Sequence, residues 1–141
     1  MSEKMRMIEE IWIVHPSGIT LFNLTKGDKI DPVLFGGFFS ALNSFIQQLG
    51  EKKLKTIIMG DSKLTIFQGY KGILFISRSK KGIKNKLIIS NLKFVEDMFK
   101  KEFQDIIDTW NGDTNIFSNF GDIIKEIFED TPEQRTKDAL W

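Results

Sequence analysis

The 141-residue sequence has no cysteine, a single histidine and a single tyrosine. Without thiols, disulfides and thiolate metal sites are excluded, and the sequence carries no redox signature. The lone histidine, His15, precedes Pro16 in the turn-forming segment HPSG. A Ser-His-Asp triad would have to be built on that one residue, in a place where histidines are ordinarily solvated. No apolar run approaches the length of a membrane span. The opening MSEKMRMIEE is too charged to be the core of a signal peptide, so a cytoplasmic location is expected, with peripheral membrane contact as an addition. Phosphate-binding loops are missing too. Gly36 and Gly37 fall within a helical pattern, and GDSK at 60–63 lacks the spacing of a nucleotide cradle. No cofactor is expected.

Acidic residues are absent from one long stretch. Residues 62–95 hold eight cations and no acid. Residues 1–61 balance, with seven acids and seven bases, and residues 96–141 carry twelve acids against five bases. The formal net charge of +1 therefore conceals a neutral, then basic, then acidic chain.

What is present is an ordinary globular composition, 41% hydrophobic with thirteen phenylalanines, and a well-marked helix. In DPVLFGGFFSALNSFIQQLG (31–50), Asp31 suits the N-cap, Pro32 the first helical position and Gly50 the C′ position. Leu34, Phe38, Phe45 and Leu49, with Phe35, Leu42 and Ile46 beside them, predict a broad apolar face lying on a sheet. Gly37, Ser40, Ala41 and Ser44 form a stripe of small residues that allows close approach, by the sheet or by a second subunit. Around this helix, Ile8–Val14 and Ile19–Leu24 read as a hairpin, and 54–59, 63–68 and 73–77 as a meander whose links are too short for parallel crossovers. A second helix is predicted from near Ser90 or Asn91 to Trp110, with Leu92, Val95, Phe99, Phe103, Ile106 and Trp110 on its apolar face. In a third, Ile116, Phe120, Ile123, Ile124, Ile127 and Phe128 point inward. The predicted fold is α+β: a five-stranded antiparallel sheet in the order strand-strand-helix-strand-strand-strand-helix-helix. Residues 1–130 form one domain and 131–141 a polar, frayed tail.

That order, together with IWIVHPSGITLFNL, ILFISRS and NLKFVEDMFKKEF, resembles the longin domain of the SNARE-like superfamily, related to roadblock and profilin-like folds. The resemblance covers about residues 7–110. It implies a non-enzymatic protein-interaction module, a scaffold or regulator in membrane-traffic-like complexes. The implied partners are a small GTPase, another longin or roadblock-type domain, or a second copy of the chain. A roadblock-type homodimeric GTPase regulator is the alternative within that reading.

Two other sets of residues bear on function. Arg78, Lys80, Lys81, Lys84 and Lys86 place five cations in nine residues, suited to an anionic membrane or an acidic partner. Nucleic acid is disfavoured because no aromatic residue is interleaved for base stacking. The plain alternative is a solvated loop that guards a sheet edge. Glu102, Asp105 and Asp108, at three-residue steps, define a metal-assisted hydrolase as the competing enzymatic reading.

Overall fold

The computed structural model describes residues 8–25, 30–48 and 54–128. Five antiparallel strands, β1 (Ile8–Val14), β2 (Thr20–Thr25), β3 (Leu54–Met59), β4 (Ser62–Gln68) and β5 (Leu74–Lys80), form one sheet in the order β2-β1-β5-β4-β3. Helix α1 (Pro32–Gln48) follows the first hairpin, and α2 (Asn85–Ile107) and α3 (Phe120–Phe128) follow the meander. Gly50 and the tail at 131–141 lie outside the described residues.

Strand β1 reads IEEIWIV, nearly continuous in apolar residues, because it is central and covered on both faces. Its alternation sorts side chains between two cores. Ile11 and Ile13, with Phe22, Ile73 and Phe75, bury against α2 and α3. Trp12 and Val14, with Leu64, Ile66, Leu74 and Ile76, bury against α1.

The entry to α1 is the predicted one: the Asp31 carboxylate accepts a hydrogen bond from Val33 N at 2.9 Å. Its burial differs. Phe35, Gly36, Phe39 and Asn43 face the sheet, and Phe35 stacks on Trp12 with ring centroids 3.8 Å apart. The helix is strapped to the first hairpin, Thr20 Oγ1 donating to Pro32 O at 2.6 Å and Ser40 Oγ to Pro16 O at 3.0 Å. Gly36 is the point of close approach. A Cβ there would lie 2.6 Å from Thr20 Oγ1 and nearer still to Gly18 O, whereas a Cβ on Gly37 would meet nothing within 4 Å. Gly36→Ala should therefore cost about 1–3 kcal/mol through overpacking against backbone. Gly37→Ala should gain up to about 1 kcal/mol from helix propensity. Urea unfolding of the two variants checks this opposition of sign.

Helix α2 begins at Asn85, five or six residues before the predicted start. No side chain caps it, so the usual signal is missing, but Ile88 extends the period Leu92–Val95–Phe99–Phe103–Ile107 inward. At its other end Ile107 faces the core and Ile106 is exposed, and Trp110 lies past the helix. The predicted third helix is split. Residues Thr114–Phe117 form a 3-10 turn, capped by the Asp113 carboxylate accepting from Asn115 N at 3.0 Å. This change of phase turns Phe117 inward and leaves Ile116 outside, while Phe120 and Ile124 of α3 are buried.

Candidate functional site

Helix α1 carries two apolar faces, and the sheet takes only one. Val33, Leu34, Phe38 and Phe45 are 77%, 70%, 61% and 58% exposed. The prediction that Leu34, Phe38 and Phe45 rest on the sheet is thus corrected: Phe35 and Phe39 do, with Leu42 packed beside them. Of the small stripe, Gly37, Ala41 and Ser44 are exposed and Ser40 is half-buried by its bond to Pro16 O. The stripe therefore does not serve contact with the sheet. It lies among the exposed aromatic and aliphatic side chains of the outer face.

Beside it, β3 is an edge strand with one side unpaired. Ile58 and Met59 are exposed there, and Met59 shares the α1 face of the sheet with Ile57. An outer helix face and an unpaired strand edge, both apolar, are surfaces that soluble proteins ordinarily cover.

The eight cations of residues 62–95 fall into two groups. Three are committed. Lys63 is only 5% exposed, its ammonium donating to Ile83 O and, at 2.7 Å, to Asn85 Oδ1. Lys71, at φ 54°, is ion-paired with Asp108, whose carboxylate holds the ammonium above the usual lysine range. Arg78, expected as part of the anion-attracting run, is half-buried and bridged to Glu10 and Glu9. Glu10 is buried and also accepts from Trp12 Nε1 at 3.3 Å. Lys80, Lys81, Lys84 and Lys86 are exposed around the turn between β5 and α2, and Lys93 is exposed further along α2. Because β5 is a central strand, these lysines do not guard a sheet edge.

The acidic set does not assemble. Glu102 and Asp105 are exposed, Asp108 is engaged by Lys71, and among the described residues no three acids or histidines are grouped to hold a metal ion. His15 Nδ1 lies 2.8 Å from Ser17 Oγ within the turn, and the ring leans on Trp110 with centroids 5.1 Å apart. Partial burial lowers the His15 pKa, and among the described residues no carboxylate orients the ring. Two clefts open near the start of α1. One, of 510 Å³, is lined by Asn23, Thr25, Ile30, Asp31 and Pro32. The other, of 240 Å³, is lined by Gly18–Thr20, Pro32, Val33 and Thr114. Among the described lining residues Asp31 is the one ionisable group, and its carboxylate is occupied as the helix cap.

A further polar fastening was not legible in the sequence. Glu96 accepts a hydrogen bond from Tyr70 N at 2.6 Å, which ties the 70–72 turn to α2 across 26 residues. No local pattern marks such a pair.

The fold has solved counterparts. MglB from Myxococcus xanthus superposes with a TM-score of 0.60 at 12% identity, over 74% of this chain and 89% of that one. The gliding protein MglB from Thermus thermophilus gives 0.53 at 13% identity, over 64% and 76%. A Roadblock/LC7 domain from Streptomyces avermitilis gives 0.52 at 12% identity, over 74% and 92%. No family model matches the sequence, and no curated protein matches it. The longin-like architecture expected from the order of elements is the architecture present, and it is shared with these MglB and Roadblock/LC7 structures.

Proposed function

We propose that this roadblock-type domain is a non-enzymatic interaction module of the cytoplasm that pairs with a second copy of itself and, as a dimer, regulates a small GTPase. The observation that carries the pairing is the outer face of α1, where Leu34, Phe38 and Phe45 stand exposed around Gly37 and Ala41. Aromatic side chains flanking small ones let two helices approach closely and bury large apolar groups between them, the usual make-up of an interface core. The adjoining β3 edge, with exposed Ile58, offers backbone groups for the same contact. One solved MglB structure is described as having a tetrameric arrangement, so self-association accompanies this fold elsewhere. The GTPase as partner rests on the longin and roadblock resemblance and on the split of charge along the chain.

Light scattering of wild type and Phe38→Asp tests the pairing. The wild type should be a dimer and the variant a folded monomer, since a charge at the centre of an apolar contact costs several kcal/mol when buried unpaired. A monomeric wild type, or a variant that still dimerises, would overturn this assignment. For the GTPase, candidates from the same organism loaded with GDP or a GTP analogue should bind with different affinities, because their switch segments reorder with the γ-phosphate. Equal binding of both forms, or of neither, would remove that partner and leave the pairing intact.

A further inference from the structure

The turn between β5 and α2 is built in a way that a merely solvated loop would not need. Lys80, Lys81, Lys84 and Lys86 are exposed on it, yet the turn is fixed from beneath by an almost fully buried lysine of β4. Lys63 sends its ammonium to Ile83 O and Asn85 Oδ1, although burying an ammonium without a carboxylate partner is unfavourable. On the outer side, Lys81 N donates to Asp61 O at 2.9 Å, which joins this turn to the one between β3 and β4. Asp61, exposed on the joined turn, sets one negative charge against the four lysines, so the tip carries a net positive charge. Edge protection does not explain it, since β5 is central.

From this construction we infer that the tip is a docking surface for an anionic lipid bilayer. Three features favour a bilayer over a specific acidic protein or a nucleic acid. The exposed cations are all lysines, hydrated point charges suited to a diffuse negative surface. The one guanidinium of the run, able to grip a carboxylate or phosphate with two bonds, is already bridged to Glu9 and Glu10. The run 80–86 has no aromatic ring on which a base could stack. Met59, exposed and one residue before the Gly60–Asp61 turn, adds an apolar side chain that can enter the interface beside the charges.

The test is cosedimentation of the full chain with vesicles of phosphatidylcholine, with and without phosphatidylserine, at low and at physiological salt. Retention on duplex DNA is measured in parallel. Wild type should sediment only with the phosphatidylserine vesicles, and less as salt rises. Each lysine neutralised should weaken binding about fivefold, so Lys80→Gln, Lys81→Gln, Lys84→Gln and Lys86→Gln together should cost several hundredfold, roughly. That variant should keep the wild-type oligomeric state, which separates a failure here from a failure of the α1 pairing. Met59→Ser should weaken vesicle binding and leave DNA retention unchanged. No sedimentation at low salt, undiminished binding by the four-lysine variant, or tighter retention on DNA than on vesicles would each overturn the assignment.

Discussion

Phe99→Ala should lower the unfolding free energy by about 3–5 kcal/mol, the range for removing a buried aromatic ring and leaving a cavity. Phe99 is fully buried on α2 and stands at the junction of four other rings. Its centroid lies 6.1 Å from Phe75, 5.0 Å from Phe103, 5.6 Å from Phe117 and 5.5 Å from Phe120. These partners come from β5, α2, the 3-10 turn and α3, so the truncation loosens every element on that side of the sheet at once. Relaxation cannot fill the space, because the neighbours are rigid rings held by separate elements. Denaturant unfolding followed by circular dichroism measures the change. A loss below about 1 kcal/mol would show that the site collapses and that the ring cluster is not the keystone of this core.

On the opposite face, Trp12→Ala should cost a comparable 3–5 kcal/mol, roughly, and with it the seating of α1. The indole is buried, stacked on Phe35, and its N–H reaches Glu10, itself bridged to Arg78. Removing it takes from Phe35 its stacked partner on the sheet, leaving the contact with Phe39 on its own helix, and takes one hydrogen bond from a buried carboxylate. The outer face of α1 then loses its fixed position, so self-association should fall together with stability. Trp12→Phe, which keeps most of the ring area and abandons the bond to Glu10, should cost less and preserve the proposed dimer. Paired scattering and unfolding data decide. A Trp12→Ala protein that remains a dimer of wild-type stability would contradict both halves of the argument. Trp12 and Phe99 lie on opposite faces and share no ring contact, so their costs should add. The double variant should then approach the whole stability of a domain of this size, about 5–15 kcal/mol.

The elements whose signals are local were readable from the residues. The HPSG turn, the short links of the meander and the Asp31 cap each specify their geometry within a few positions, and the structure has all three. What was not readable depends on which of two equivalent choices the tertiary fold makes. On α1, Leu34/Phe38/Phe45 and Phe35/Phe39/Leu42 are both apolar rows, and helical periodicity groups each row without saying which the sheet will take. The answer comes from Trp12, on a strand more than twenty residues earlier, whose ring fits Phe35. The basic stretch was legible as charge but not as surface. The acids that engage Arg78 and Lys71 lie at Glu9, Glu10 and Asp108, far along the chain in either direction. The early start of α2 escaped notice because Lys84 and Asn85 supply no capping bond and two lysines crowd a helix end that favours negative charge.

The strand order also governs how the molecule comes together in time. Each half of the sheet is made of neighbours in sequence: β1 and β2 through a five-residue turn, and β3, β4 and β5 through two short links. The seam between the halves is the β1–β5 ladder, where Ile13 pairs with Phe75. Closing it brings together segments roughly sixty residues apart, an entropic cost that neither half meets internally. The hairpin with α1 and the meander with α2 should thus assemble early as separate units, and their joining along β1 and β5 should limit the folding rate. In pulse-labelling hydrogen exchange, the amides of the seam should be the last in the sheet to gain protection.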